Sequence, residues 1–247
     1  MTASDPLAPV RHVGILAPMR AELDPVVRRL ALTDQGPADR NAGRIYSGNA
    51  GPVTITAMLT EIGMANAAHA ATAILEHGVE TVFVVGIAGS VDRGLGMGEL
   101  IVPERVVERA TGREHRPTLI GDARSSGTLS CGDDLITDVG VLDGMFAKGV
   151  IAVDMETAAI AAVCEDAGRP WSVFRAISDY AGSGFLDEAL LALIRSDGTM
   201  DPELTASYMA EHPERVEALM QFGQDAERAT EAAAEAAAAA VHALASR

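Results

Sequence analysis

Residues 150–181 have the sequence VIAVDMETAAIAAVCEDAGRPWSVFRAISDYA, in which two strand-like runs flank a helix-like segment. The first apolar run is short. The alanine-rich segment after it is typical of a helix and ends at Gly168 and Pro170. A second apolar run, residues 171–177, follows. Because two apolar strands joined by a helix form a βαβ unit, the pattern predicts that these strands lie parallel and next to each other in one sheet.

Acidic residues stand at the carboxyl ends of both predicted strands. Glu156 follows the first strand and Asp179 follows the second. Ligands of parallel sheets bind at the carboxyl ends of the strands, so we expect both side chains to face one crevice. Two acidic groups in one crevice can divide proton donation and hydrogen bonding between them.

The rest of the chain alternates predicted strands with predicted helices. We predict strands over residues 12–17, 44–49, 53–59, 81–85 and 99–107, a strand end near 130–134, and a connecting segment over 135–146. We predict helices from 18 to about 30, 66–77, 185–195, two short ones within 201–222, and a last alanine-rich helix from about 225. The last helix either packs closely on the sheet or is a frayed tail. This alternation predicts an α/β domain of three layers with a mixed, partly parallel sheet.

Composition excludes several classes of function. A formal charge of −16 argues against nucleic acid and against an anionic membrane surface, because both need a basic face. The two cysteines have no metal-ligand spacing, and we predict no metal site. The chain has neither a signal-peptide pattern nor ~18 consecutive apolar residues, so we expect a cytoplasmic protein.

Two segments of the opening stretch resemble the signature segments of the nucleoside phosphorylase/nucleosidase superfamily. They are residues 154–160, DMETAAI, and residues 175–181, RAISDYA. Together they are most similar to those of methylthioadenosine/S-adenosylhomocysteine nucleosidases. The resemblance implies a three-layer fold with a twisted mixed central sheet flanked by helices. It also implies hydrolysis of the N-glycosidic bond of a purine nucleoside or 5′-substituted thionucleoside, as in methionine salvage, without a cofactor.

Asp179 is the candidate general acid. Between Ser178 and the end of the sheet it can be partly desolvated, which favours the protonated carboxyl. A protonated carboxyl can donate to N7 of the purine and so improve the leaving group. Ser178 belongs to the same segment and is a candidate substrate-binding residue. The alternative is that Asp179 caps the next helix.

Glu156 and Met155 are candidate sugar-binding residues. The resemblance implies that Glu156 accepts hydrogen bonds from the ribose hydroxyls and that Met155 packs against the sugar. Such bonds strengthen as the ring gains positive charge. The alternative for Glu156 is a helix first-turn residue favoured by the macrodipole. Asp154 stands where the nucleosidases more usually have Glu, and the sequence assigns it no role.

Glu22 bears on the choice of nucleophile. Residues 19–22, MRAE, resemble the nucleosidase segment whose final Glu positions the attacking water. Arg20 lies in the same turn and can serve an anion, which a phosphorylase would need. The alternative is that Arg20 and Glu22 form an ordinary exposed pair in the first turn of a helix.

Three further segments resemble substrate-lining parts of the family. Residues 86–89, GIAG, resemble the small-residue loop along the base and sugar, with Ala88 and Gly89 as candidate contacts. Ile62 belongs to a segment that lines the 5′ side of the sugar. Ile136 belongs to the segment at the purine.

The chain also departs from the family pattern. Ile87 replaces a small polar residue, and Leu135 aligns with the aromatic residue that stacks on the purine. Residues 109–127 have no counterpart and form a predicted long loop, either a solvated surface or a site for an anionic substrate group. Its cationic residues are Arg109, Arg113, His115, Arg116 and Arg124, and His115 is the one histidine of the chain placed for chemistry.

We expect one domain over residues 12–247, with residues 1–11 disordered and residues 197–222 as a helical insertion. We also expect a homodimer in which the 109–127 loop lies near the partner's site, because the family forms dimers or hexamers. Two other functions stay open. One is a phosphate-dependent phosphorylase, and the other is a nucleoside-binding protein without turnover.

Overall fold

The computed structural model describes residues 9–37, 44–120, 125–184 and 187–247, which form a large mixed sheet flanked by helices. The strands are β1 (His12–Ala17), β2 (Thr33–Pro37), β3 (Arg44–Ala50), β4 (Val53–Leu59), β5 (Thr81–Ser90), β6 (Leu100–Ile101), β7 (Arg105–Glu108), β8 (Glu114–His115), β9 (Thr128–Cys131), β10 (Val150–Asp154) and β11 (Trp171–Tyr180). The helices are α1 (Arg20–Arg29), α2 (Met64–Glu76), α3 (Val139–Phe146), α4 (Thr157–Asp166), α5 (Glu188–Leu191), α6 (Pro202–Glu211) and α7 (Val216–Ala245). The predicted fold class is confirmed.

Strand β5 is the centre of the sheet. One of its edges pairs in parallel with β1 as far as Val84, and the other pairs in parallel with β11 along nearly its whole length. Beyond Val84 the first edge is open, and β10 pairs there antiparallel with Gly89 and Ser90. The sheet continues from β10 through β9 and β7 to β8, and from β1 through β4 and β3 to β2.

The prediction that the two strands of residues 150–181 are parallel neighbours is wrong in both respects, because β10 and β11 lie on opposite edges of β5, with β10 antiparallel and β11 parallel to it. β11 occupies one edge of β5 along its length, so β10 takes the part of the other edge that β1 leaves free. The carboxyl ends of the two strands still meet. Gly89 pairs with Val153 of β10 and with Asp179 of β11.

Several predicted boundaries also differ from the structure. The strand predicted over residues 99–107 is two strands, because Pro103 has no N–H to donate and the chain changes partner there. The predicted loop 109–127 contains β8, and the connecting segment 135–146 contains α3. The helix predicted over 185–195 is the short α5, and residues 185–186 lie outside the described residues.

The alanine-rich carboxyl-terminal helix packs closely on the sheet. α7 begins at Val216 rather than near residue 225, because the second short helix predicted within residues 201–222 continues into it. Its buried face consists of small side chains that contact β5, β11 and α1, which excludes the frayed-tail alternative. The buried residues of that face are Ala229, Thr230, Ala233, Ala234, Ala237, Ala238, Ala240, Val241 and Leu244.

The helices cover both faces of the sheet. Helices α1 and α7 share one apolar core with β1, β4 and β5, and α2 and α4 share a second core on the other face. Among the described residues, none of the helices has the length and apolar character needed to cross a bilayer. The assignment of one domain over residues 12–247, with an insertion at 197–222, stays a prediction.

We predict that Ala237→Leu destabilises the fold and that Ala239→Leu does not. Ala237 is fully buried against the sheet, whereas Ala239 is exposed on the same helix. Overpacking a closed interface costs ~1–3 kcal/mol, while an exposed substitution changes stability by less than ~0.5 kcal/mol. Urea unfolding of both variants measures the difference. Equal midpoints would contradict close packing of α7 on the sheet.

Candidate active site

The candidate site is built around the guanidinium of Arg175, which is 1% exposed. Its Nη2 lies 2.6 Å from Oδ2 of Asp154 and 3.1 Å from Oε2 of Glu156. Its Nη1 lies 3.5 Å from Oε1 of Glu22. One buried cation therefore connects three buried carboxylates, two from the β10–α4 connection and one from the distant first turn of α1.

The cluster has three carboxyl groups and one guanidinium, and burial raises the pKa of two of the carboxyl groups. Burial raises the pKa of Glu22 to about 7, although Arg175 and backbone hydrogen bonds lower it. Burial likewise raises the pKa of Glu156 to about 7, against the charge of Arg175. A buried charge is costly unless it is paired, and one arginine cannot fully compensate three carboxylates. Glu22 and Glu156 therefore titrate close to neutral pH.

Both oxygens of Glu22 accept backbone hydrogen bonds. Oε2 accepts one from the N–H of Met19 at 2.8 Å, at the start of α1, and Oε1 accepts one from the N–H of Ile87 of β5 at 2.7 Å. An acidic residue is favoured in a first helical turn by the helix dipole. Here the side chain points inward, since Glu22 is 1% exposed. Glu22 and Arg20 are therefore not an exposed pair.

Glu156 lies between β10 and α4 and reaches the loop after β4. Its Oε1 accepts a hydrogen bond from the N–H of Gly63 at 3.0 Å, and the residue is 4% exposed. Ile62 precedes Gly63, and both are partly buried, as is Met155. The structure thus places the candidate residues Glu156, Met155 and Ile62 at neighbouring chain segments.

Asp154, to which the sequence assigned no role, fixes Arg175. Besides Arg175, its Oδ2 accepts hydrogen bonds from the N–H of Thr157 at 3.2 Å and from the Thr157 hydroxyl. Asp154 therefore joins the end of β10 to the start of α4 and holds the guanidinium between them.

Asp179 and Ser178 lie apart from this cluster at the end of β11. The Ser178 hydroxyl donates to Oδ1 of Asp179 at 2.6 Å. Burial raises the pKa of Asp179, while the Ser178 hydrogen bond lowers it. Oδ2 of Asp179 faces Gly89, where an added Cβ would lie 3.4 Å away.

Three consecutive residues of β5 connect the two groups of acids. Ile87 donates to Glu22, the carbonyl of Ala88 lies 3.4 Å from the Ser178 hydroxyl, and Gly89 faces Asp179. Contacts two residues apart on an extended strand are separated by ~7 Å. The candidate acid and the Glu22 carboxylate therefore contact the same strand at points ~7 Å apart.

Ile136 lies in a small apolar cluster near the end of this strand segment. Ile136 packs against the buried residues Val91, Leu142 and Val150, and Val153 of β10 and Ala181, which follows β11, pack against the same cluster. The preceding loop is held by Arg109, whose Nη2 donates to the carbonyls of Gly132 and Asp134. The structure therefore places Ile136 at the Asp179 end of the site.

The cationic residues of the 109–127 loop do not meet at this site. His115 is buried and its Nδ1 lies 2.8 Å from Glu165, near the carboxyl end of α4, whereas Glu156 precedes the amino end. The prediction that His115 is placed for chemistry is wrong, because β8 pairs it with β7 and turns it under α4. Arg113 and Arg116 are exposed, and Arg124 lies outside the described residues.

Sequence reasoning missed the role of Arg175. It was quoted only as the first residue of a signature segment. The signal was available, because an arginine in the middle of an otherwise apolar strand must be paired when buried. Among the described residues, no group of His, Cys, Asp and Glu is arranged to hold a metal ion.

Comparison with protein families confirms the resemblance seen in the two signature segments. The family model described as Phosphorylase superfamily matches residues 12–129 and 123–199. These matches cover most of the sheet and every residue of the candidate site.

Curated relatives cover less of the chain. A 5′-methylthioadenosine/S-adenosylhomocysteine nucleosidase of Exiguobacterium sp. is 28% identical over 201 residues, which are 68% of this chain and 85% of the relative. One of Marinomonas sp. is 29% identical over 153 residues, and the match spans 49% of this chain and 66% of that relative's length. An aminodeoxyfutalosine nucleosidase of Helicobacter pylori is 26% identical over 202 residues, which are 70% of this chain and 87% of the relative.

A solved structure with the same fold is that of the 5′-methylthioadenosine/S-adenosylhomocysteine nucleosidase of Neisseria meningitidis in complex with methylthio-immucillin-A. It superposes with a TM-score of 0.70 at 20% identity and covers 94% of this chain and 99% of that one. At this identity the likeness establishes the fold.

We predict that Gly86→Ala disrupts the arginine cluster. A Cβ at residue 86 would lie 2.5 Å from Nη1 of Arg175 and 2.8 Å from Cδ of Glu22, so both side chains must move. We expect the free energy of unfolding to fall by ~1–3 kcal/mol or more. Gly78→Ala is the matched control, because Gly78 also has a positive φ (75°) but no heavy atom within 4 Å of the added Cβ. Thermal unfolding compares the two, and equal losses would contradict the contact.

Proposed function

The chain belongs to the phosphorylase superfamily, and from this premise we propose that it is a nucleosidase, an enzyme that hydrolyses the N-glycosidic bond of a purine nucleoside or 5′-substituted thionucleoside. One observation carries the proposal. The β5 segment 87–89 contacts Glu22 at one end and Asp179 at the other, so a carboxylate and a protonatable carboxyl contact the same strand two residues apart.

Asp179 acts at the base. Its raised pKa favours the protonated carboxyl, which donates to N7 of the purine and makes the base a better leaving group. Ser178 orients the group, because its hydroxyl binds Oδ1 and leaves Oδ2 toward Gly89. The helix-cap alternative is less consistent with this geometry, since burial is the main influence on the carboxyl.

Glu22 acts at the nucleophile. A general base works best when its pKa lies near the working pH, and that of Glu22 is about 7. In its ionised form the carboxylate orients a water molecule and accepts its proton as the glycosidic bond breaks. The backbone N–H groups of Met19 and Ile87 hold the carboxylate in one orientation.

Glu156 and Met155 hold the sugar. Glu156 is fixed by Gly63 and Arg175, and its carboxylate accepts hydrogen bonds from the ribose hydroxyls. These bonds become stronger as the ring gains positive charge in the transition state. Ile62 lines the 5′ side, and Ala88, Gly89 and Ile136 line the base.

Water fits this site better than phosphate as the nucleophile. A phosphate dianion would meet the buried carboxylates of Glu22, Asp154 and Glu156, whose one adjacent cation is already paired with them. At ~4 Å and an effective dielectric constant of about 20, each like-charge pair costs roughly 4 kcal/mol. Arg20 offers no compensation, because it is exposed.

The substrate carries a 5′ substituent. This part of the proposal is supported by the relatives, which are named for 5′-methylthioadenosine with S-adenosylhomocysteine and for aminodeoxyfutalosine. Ile87 replaces a small polar residue of the family pattern and makes the site less polar. Leu135 replaces an aromatic residue and makes the site less aromatic. A panel of 5′-substituted purine nucleosides, assayed for release of the free base, identifies the preferred one.

We propose a cytoplasmic homodimer. Helix α3 exposes about half of Val139, Val141 and Phe146, and exposed apolar patches often mark interfaces. A stable interface needs ~800 Å² from each subunit. The dimer places the 109–127 loop near the partner's site. Light scattering at micromolar concentration measures the assembly, and a fully active monomer would overturn this part of the proposal.

We predict that Asp179→Asn lowers turnover by ~10²–10⁴-fold, the usual contribution of a general acid. The variant keeps the shape of the side chain but cannot protonate the base, so the protein stays folded. Asp166→Asn is the control, because Asp166 is exposed at the far end of α4. A steady-state assay of base release compares them. Near-normal turnover of Asp179→Asn would remove Asp179 from the mechanism.

We predict that base release needs no phosphate and that Glu22→Gln abolishes it while substrate binding persists. Adding phosphate to the wild-type enzyme should yield no sugar-1-phosphate. Glu76→Gln, an exposed position at the end of α2, is the control. Product analysis with and without phosphate decides between the two reactions. A rate that rises with phosphate, with sugar-1-phosphate as product, would show a phosphorylase.

We also predict an acid limb with an apparent pKa of about 7 in the pH profile of kcat/KM. Activity should fall as the pH drops through this value, because Glu22 becomes protonated and cannot accept a proton. Glu156 titrates in the same range, so the limb belongs to the pair. A profile that is flat between pH 5.5 and 8 would contradict the role of Glu22.

A further inference from the structure

A short turn at residues 196–198 is hydrogen-bonded to the start of α1, which carries Glu22, and to the loop after β4, whose Gly63 N–H donates to Glu156. The carbonyl of Asp197 accepts a hydrogen bond from the N–H of Arg20 at 3.1 Å. The carbonyl of Ser196 accepts one from the N–H of Ile62 at 2.8 Å. The turn therefore joins the start of α1 to the loop that follows β4.

The turn is well ordered by its own hydrogen bonds. Ile194 and Met200 form an isolated β-bridge on either side of it. Oδ1 of Asp197 accepts from the N–H of Thr199 at 2.9 Å and from its hydroxyl at 2.6 Å. The turn thus presents its carbonyl groups to α1 and to the loop after β4 in a defined geometry.

Gly198 packs directly on Met19. A Cβ at residue 198 would lie 2.6 Å from Sδ of Met19, and the φ of Gly198 is +79°, so glycine is required there for two reasons. Met19 is the residue whose N–H donates to Oε2 of Glu22. The turn therefore contacts the start of α1 at two neighbouring residues, at the side chain of Met19 and at the backbone N–H of Arg20.

We propose that the 196–198 turn is a positioning element for Glu22, which it orients by holding the Met19–Arg20 backbone in place. The inference rests on the proposed nucleosidase function and deepens it. Asp197 and Gly198 of the turn are the first two residues of the predicted insertion 197–222, and loss of the turn would release the first turn of α1.

The second contact of the turn acts on Glu156. Glu61, just before Ile62, has a φ of +62°, which is unfavourable for a residue with a side chain. Such a conformation persists only where the surroundings enforce it. The Ser196–Ile62 hydrogen bond does so one residue before Gly63, whose N–H donates to Glu156.

The electrostatic surroundings of Glu22 make its position measurable. Arg175 of β11 and the N–H of Ile87 of β5 favour the ionised carboxylate, and Glu156 and burial favour the neutral one. The N–H of Met19 also lowers the pKa of Glu22. A change that moves Met19 away therefore raises the pKa of Glu22.

Arg20→Pro tests the proposal with little disturbance elsewhere. Arg20 is the first residue of α1, where proline is well tolerated, and Met19 has an extended backbone (φ −122°, ψ 156°) that suits a following proline. The substitution removes the N–H that binds Asp197 and also removes the arginine side chain. Arg20→Ala removes only the side chain and is the matched control.

Gly198→Ala is the second variant, with Gly168→Ala as its control. Gly168 also has a positive φ (63°), but no heavy atom lies within 4 Å of the Cβ added there. For Arg20→Pro and Gly198→Ala we expect kcat/KM at pH 7 to fall ~10- to 100-fold, as a small displacement of a catalytic group does. The acid limb should move ~0.5–1 pH unit higher, the equivalent of one lost hydrogen bond.

A ¹³C NMR titration of the glutamate side-chain carboxyl carbons measures the pKa of Glu22 directly and does not depend on enzyme activity. The Glu22 signal is assigned by its loss in Glu22→Gln. This readout distinguishes the proposed nucleosidase function from the positioning role of the turn. If the wild type is inactive but the Glu22 titration is shifted in Arg20→Pro, only the proposed function is contradicted. The inference would be overturned if folded Arg20→Pro or folded Gly198→Ala had the kcat/KM and the Glu22 titration of the wild type. A loss of activity with an unchanged Glu22 titration would overturn it as well.

Discussion

Burial of the Arg175 guanidinium is the constraint on which the site depends. A buried arginine must be paired, and its partners Glu22, Asp154 and Glu156 come from the first turn of α1 and from the connection between β10 and α4. Removing one partner from a buried pair leaves an uncompensated charge and costs ~3–5 kcal/mol. The cluster therefore holds three segments of the chain at one edge of the sheet and places two candidate functional carboxylates at the same time.

The two candidate carboxyl groups, Glu22 and Asp179, have different surroundings. Burial raises the pKa of Glu22 to about 7, and Arg175 and two backbone N–H groups limit this rise because they favour the ionised form. Asp179 lies at the other end of the β5 segment, and burial favours its protonated form. Two carboxyl groups in different surroundings can thus act in different roles at one pH.

The fold class could be predicted from the alternation of strands and helices and from the two signature segments. The positions of Glu156 and Asp179 after two strands were also predictable, while the roles of the candidate site residues stay predictions. The pairing of β10 and β11 could not be predicted, since it depends on how far β1 extends along β5. The start of α7 was missed because Val216 carries no capping signal distinct from the preceding 3-10 turn. His115 was misplaced because its partner, Glu165, is distant in sequence. The position of Arg175 in an otherwise apolar strand indicated that it is paired, but its partners and the role of Asp154 require side-chain geometry that strand patterns do not contain.

An arginine suits the centre of this site better than a lysine would. Its two terminal nitrogens contact different partners, because Nη2 binds Asp154 and Glu156 while Nη1 faces Glu22. A lysine ammonium is a point charge and cannot present separate donors in fixed directions to carboxylates on different sides. Gly86 completes the arrangement, because any side chain there would occupy the space of Arg175 and Glu22. The position of Glu22 therefore depends on three features. Gly86 of β5 leaves room for the carboxylate, the buried guanidinium of Arg175 pairs with it, and the N–H of Met19, next to the 196–198 turn, donates to it.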